Sequence, residues 1–195
     1  MDSAGQPSNR RLPRAERREQ ILGAATEAFA HGGFAGTVLE DIAAEAGITR
    51  VILYRHFDSK ADLYRAVLVR ARQHLSDAVG GPDYTEKIID ALLIAASRDP
   101  SGFRLLFHHA ARESEFRAES EGYQTEMTAT ALQQLEAVIP DPAWAQWAAH
   151  FVPTATIAAI TAWLDAGQPD PADAATHIRH AIKGIVDAAR HSPPT

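Results

Sequence analysis

The sequence predicts an all-α chain of about nine helices, with an N-terminal three-helix helix-turn-helix domain followed by a C-terminal helical bundle. Three observations predict it. Apolar residues recur three and four apart from Arg14 onward, the spacing of one helix face. No segment alternates apolar and polar residues as a half-buried strand does. Gly-Gly, Asp-Pro and Pro-Asp-Pro breaks cut the periodic pattern into helix-length pieces. The 195 residues suffice for one ordinary domain or two small ones, and an apolar share of 46% suits a folded chain.

Residues 1–13, rich in Ser, Pro, Gly and Asn with Arg10 and Arg11, predict a disordered basic arm. Ile21, Leu22, Ala25, Ala28 and Phe29 form the stripe of a first helix from Arg14 to His31, ended at Gly32-Gly33. Thr37 and Glu40 have the spacing of a capping box. A short helix from Val38 to Ala46 follows, with Leu39, Ile42, Ala43 and Ala46 inward and Gly47 as its stop. Thr49 is positioned to cap a helix from Arg50 to Phe57, and Ser59 to cap a long one ending at Gly80-Gly81-Pro82. Further helices are predicted over Tyr84–Ser97, Ser101–Ala111, Glu113–Ile139, Pro142–Ala166 and Pro171–His191. The division into domains is therefore 14–68 for the helix-turn-helix unit and 69–195 for the bundle.

The net charge of −6 hides an asymmetry. Up to Arg72 there are 11 basic and 9 acidic residues; beyond it there are 8 and 16. Five arginines lie between Arg10 and Arg18. A basic N-terminal part on an acidic chain points to an interaction surface for a polyanion, although a solvated tail has the same composition. The absence of cysteine excludes disulfides, thiol nucleophiles and Cys-ligated metals. With no apolar leader at the polar, Arg-rich N-terminus, a cytoplasmic location is expected. The uncharged run from Ala143 to Leu164 is interrupted by Gln146, His150, Pro153 and three threonines, which argues against a membrane span.

Two short helices joined through Ala46-Gly47-Ile48-Thr49 form a helix-turn-helix, in which the second helix is offered to the DNA major groove. On that helix Leu53 and Phe57 point inward. Arg50 is suited to guanine, and Val51 and Ile52 to a thymine methyl. Tyr54, His56 and Lys60 are suited to phosphates. With Thr37, Thr49 and Arg55 these make up the expected DNA-binding set.

The run from Arg14 to Leu68 resembles the DNA-binding domain of the TetR family of transcriptional regulators. The residues that carry the resemblance are Ile21, Ala24-Ala25, Phe29, Gly33, Thr37, Asp41-Ile42-Ala43, Ala46-Gly47-Ile48, Leu53 to Phe57, Ser59-Lys60 and Leu63, with Trp163 to Gly167 late in the chain. Val51-Ile52 stand where that family usually has smaller residues, so the resemblance implies a fold and not an operator sequence. It also implies a homodimer on a palindromic operator, acting as a repressor, with a small ligand bound in the C-terminal domain releasing the DNA.

Two apolar sets run along the last two long helices: Trp144, Trp147, Phe151, Ala155, Ala158, Ala162 and Trp163, then Ile178, Ala181, Ile182, Ile185 and Ala189. Periodicity allows intrachain core or a dimer face; the resemblance implies the dimer. Leu92, Ala96, Phe103, Phe107, His108, Tyr123, Met127, Trp147 and Phe151 are the expected lining of a pocket for a small, mostly apolar effector, with plain core as the alternative. No metal site or cofactor is expected, since no acidic residue precedes a histidine by three. Without a nucleophile elbow, phosphate loop or zinc-protease motif, an enzyme is not expected either.

Overall fold

A computed structural model describes residues 12–80 and 87–190. The expected arm at 1–13 lies almost wholly outside them. Among the described residues there are nine α-helices and no strand. They are α1 (Arg14–Gly36), α2 (Leu39–Glu45), α3 (Arg50–Tyr54), α4 (Lys60–Val79), α5 (Ile88–Arg98), α6 (Pro100–Arg104), α7 (Arg117–Leu135), α8 (Pro142–Asp165) and α9 (Ala174–Arg190). Leu105–His109 forms a π-helical turn and Ala110–Arg112 and Ser114–Phe116 form 3-10 turns. The helix expected over Ser101–Ala111 is thus a short α-helix that loosens into a π turn. The helix expected from Glu113 begins four residues later.

The local punctuation explains the boundaries. Gly33 has φ 66°, a left-handed conformation that breaks α1 and turns the chain toward α2. Ser59 Oγ accepts from the Asp62 amide at 3.0 Å and starts α4. Asp99 caps α6 through the Gly102 amide at 2.8 Å, and Asp141 caps α8 through Ala143 at 2.8 Å. The capping box at Thr37 does not form. Val38 is the N-cap residue of α2, and the Thr37 hydroxyl instead donates backward to Gly33 O at 2.7 Å. The broken helix end exposes that carbonyl, which outcompetes the forward cap.

The head is built from α1 to α3 and the first half of α4. Ile21, Phe29, Ile42, Leu53, Leu63 and Val67 have no exposed surface. Leu105 and Phe116 from the body close the same core. The second half of α4 supplies Ala71 and Leu75 to the body core, with Leu93, Phe103, Ile160 and Leu164. A single helix therefore serves both cores. A third cluster, alanine-rich, joins the end of α7 to α8 and α9. By length and composition α8 is apolar enough to cross a membrane. In this fold it packs Ala145, Ala148, Ala149, Thr156, Ile160 and Leu164 inward instead.

Candidate nucleic-acid interface and a body cleft

The turn between α2 and α3 depends on Gly47, at φ 61°. Thr49 Oγ1 accepts from the Ile52 amide at 3.4 Å, which leaves the hydroxyl proton free to donate. The chain winds on past Tyr54, with the amides of His56 and Phe57 bonded to Leu53 O at 2.9 and 3.1 Å. Leu53 and Phe57 are buried and pin this segment to the head. Its outer face keeps Arg50, Val51, Tyr54 and Arg55 exposed, with Ile52 and His56 half-buried. Val51 is 64% exposed, unusual for a β-branched apolar side chain and suited to a base methyl.

Arg50 is not loose. Its guanidinium pairs with Glu40 on α2, donates to Tyr54 Oη at 3.2 Å and lies 5.3 Å from the Tyr54 ring centre. The Tyr54 hydrogen bond first, and the Glu40 charge next, push the Arg50 pKa up from its already high value. The group is a permanent cation aimed across the face that α3 presents.

His56 has its pKa lowered, first by burial and then by the charges of Arg14, Arg18 and Arg17. That places the first turns of α1 beside the end of the recognition segment, where Arg18 also sits 5.0 Å over the Phe57 ring. These α1 arginines extend the basic face. Their crowding was visible in the sequence, but their neighbour was not.

Two expected contacts are occupied inside the head. Thr37 is only 7% exposed, with its hydroxyl spent on Gly33 O. Lys60 Nζ donates to Thr37 O at 3.0 Å and to Ala35 O at 3.3 Å, and lies 4.6 Å over the Phe34 ring. It caps the carbonyls at the α1–α2 corner.

The expected pocket residues do not converge on one cavity. Phe107, His108 and Met127 line an open cleft of about 1050 Å³ between α7 and α8, with Thr125, Thr128, Leu132, His150, Pro153 and Ile157. Phe103 lines a different hollow, between α1, α4 and α5, with Arg70 and His74. Leu92 and Ala96 belong to the body core, and Tyr123 packs on Phe107 at 5.7 Å. Trp147 and Phe151 are 41% and 43% exposed and stack with Trp144 on the outer face of α8, away from the cleft. Their helical spacing matched core and surface equally. His108 is exposed and His109 half-buried, with burial first lowering the His109 pKa. Among the described residues no group of three metal-ligating side chains occurs.

Residues 21–67 match the family described as bacterial regulatory proteins, tetR family. The HTH-type transcriptional activator FasR of Mycolicibacterium smegmatis is 35% identical over 115 residues, covering 55% of this chain and 52% of FasR. The HTH-type transcriptional regulator TtgR of Pseudomonas putida is 51% identical over 53 residues, covering 27% of this chain and 25% of TtgR. The chain thus spans about half the length of FasR and a quarter of TtgR in these matches. Among solved structures, a TetR-like transcriptional regulator from Rhodococcus sp. RHA1 superposes with a TM-score of 0.75 at 23% identity, over 89% of this chain and 97% of that one. A transcriptional regulator from Aquifex aeolicus VF5 gives 0.72 at 19% identity, over 87% and 99%. At these identities the structural likeness is one of fold. The helix-turn-helix geometry, the matched span and the whole-chain fold agree: residues 21–67 form a DNA-binding segment of the kind that the tetR family of bacterial regulatory proteins carries, within a chain of TetR-like fold.

Proposed function

We propose that the protein is a cytoplasmic, homodimeric, sequence-specific DNA-binding regulator, and that it represses from a palindromic operator until a small ligand releases it. One observation carries the DNA-binding part. Leu53 and Phe57 anchor the recognition segment while Arg50, Val51, Tyr54 and Arg55 stand exposed on its outer side. In each subunit Arg50, Val51 and Ile52 read bases, and Thr49, Tyr54, Arg55 and His56 take phosphates. A dimer through α8 and α9 gives the exposed Trp144, Trp147 and Phe151 face a partner and presents two recognition segments one DNA turn apart. The effector acts at the α7–α8 cleft, whose lining mixes Phe107, Met127, Leu132 and Ile157 with threonines, glutamines and histidines. Its energy for release is its differential affinity for the two states of the protein.

Selection of duplexes from a random pool tests this reading. Recovered sequences should share an inverted repeat whose half-sites lie about 34 Å apart, or a multiple of that. Recovery of unrelated sequences argues for a non-specific binder. Activation is the second reading, favoured by the name of FasR and its 35% identity. A footprint upstream of the polymerase site supports it, whereas one overlapping that site supports repression.

A further inference from the structure

Helix α4 is joined to α7 and to the 3-10 turn before it by the same three-residue device twice. In the first, the Arg65 guanidinium lies 5.1 Å over the Phe116 ring and its Nε donates to Glu119 at 3.1 Å. A second carboxylate, Glu115, is at 3.4 Å. In the other, the Arg72 guanidinium lies 5.0 Å over the Tyr123 ring and pairs with Glu126. Each role recurs seven residues on: 65 and 72, 116 and 123, 119 and 126. Seven residues are close to two helical turns, so 65 and 72 fall on one stripe of α4 and 119 and 126 on one stripe of α7, while Phe116 ends the 3-10 turn that leads into α7. The two arginines are 46% and 48% exposed, and at that exposure an ion pair adds little stability. What the pairing does is positional. A ring and a carboxylate hold each guanidinium between α4 and the segment that begins with the 3-10 turn and continues as α7.

The other side of α7 carries the cleft. Glu121, Gln124, Thr125, Thr128 and Leu132 line it. At about 100° per residue this stripe lies roughly opposite Glu119, Tyr123 and Glu126. Helix α7 is a bar with the cleft along one side and the arginine staples along the other. Beyond the staples, α4 carries Leu63 and Val67 into the core that holds Leu53 and Phe57.

We propose that Arg65 and Arg72 are positioning residues through which α7 transmits occupancy of the α7–α8 cleft to α4 and the recognition segment. This rests on the reading that the effector acts at that cleft. A displacement of α7 by a filled cleft moves Glu119 and Glu126, the two guanidinium groups follow, and the first half of α4 shifts with them.

The chain has no cysteine, so one introduced thiol can be modified alone. The probe is N-benzylmaleimide on Thr125→Cys, an exposed position of the cleft lining. Two readouts are taken on the full chain. One is amide hydrogen exchange across 60–68. The other is affinity for duplexes that the unmodified protein selects from a random pool. Modification should change exchange in 60–68 and weaken DNA binding about tenfold. With Arg65→Met and Arg72→Met together, unmodified protein should still bind, and the effect of modification should fall to about twofold or less. If that double variant folds poorly, Glu119→Gln with Glu126→Gln makes the same test while keeping both ring stacks. An undiminished effect in the staple variants overturns the proposal, as does modification that leaves 60–68 unchanged in the parent. Failure of the pool to yield bound DNA counts against DNA binding alone, because exchange reads the relay without DNA.

Discussion

Glu40, at the start of α2, holds the Arg50 guanidinium at the start of α3. The pair spans the helix-turn-helix and sets a carboxylate beside the strongest base-reading candidate. In the free protein Glu40 fixes the direction of Arg50; on DNA the same carboxylate repels any phosphate that approaches out of register. Glu40→Gln should therefore tighten binding to unrelated duplexes and narrow the gap between specific and non-specific DNA. Arg50→Ala should relax one base position per half-site. Parallel titrations on selected and scrambled duplexes measure both, and an unchanged ratio for Glu40→Gln refutes the steering role.

Lys60 has a structural role wherever DNA is. Its ammonium caps Thr37 O and Ala35 O, so Lys60→Ala should lower head stability by about 1 kcal/mol, within the range for hydrogen bonds to charged groups after discounting for its partial exposure. Denaturant unfolding of the free protein checks this. A variant that binds DNA more weakly with unaltered stability would mean that Lys60 acts on phosphate alone.

Tyr64 offers the opposite case. Its ring packs against Phe29 at 4.9 Å, Phe34 at 5.2 Å and Phe116 at 4.4 Å. Its hydroxyl is buried with no hydrogen-bond partner among the described residues, and burial raises its pKa well above the usual phenol value. Tyr64→Phe removes an unpaired polar group from a packed site. It should be neutral or stabilising by about 1 kcal/mol. A clear loss of stability in denaturant would show a partner for that hydroxyl.

His56 gives a pH dependence with two signs. Burial and the α1 arginines lower its folded pKa below the ordinary 6.5, so it is neutral in the free protein near pH 7. As pH falls below 6.5 the unfolded chain protonates first, and stability is lost until the folded value is passed. His109 is lowered by burial as well and adds to that loss. DNA phosphates offset the arginine field and favour the protonated ring, so binding takes up a proton and tightens as the solution is acidified. His56→Gln should remove this tightening while leaving part of the acid destabilisation. Affinity measured between about pH 5.5 and 8 decides.

Where a residue and its partner are close in sequence, the structure was legible beforehand. Gly47 ends α2, Ser59 with Asp62 starts α4, and Leu53 and Phe57 turn inward because they are four apart on a helix. The capping box at Thr37 does not form because its hydroxyl has two partners within four residues, and only the Gly33 break decides between them. The Lys60 cap, the Glu40–Arg50 pair and the Arg65 and Arg72 staples join residues 10 to 54 apart and leave no periodic trace. The outward turn of Trp147 and Phe151 was equally hidden, since helical spacing gives a stripe and not the side it faces.

The central claim is that an acidic chain binds DNA through a locally basic head. The direct measurement is the salt dependence of affinity for a selected duplex. Counterion release predicts a linear fall of log affinity with log salt, its slope set by the number of phosphates neutralised. Removing residues 1–13, and with them Arg10 and Arg11, should make the slope shallower. A flat response, or no binding at low salt, would contradict the account.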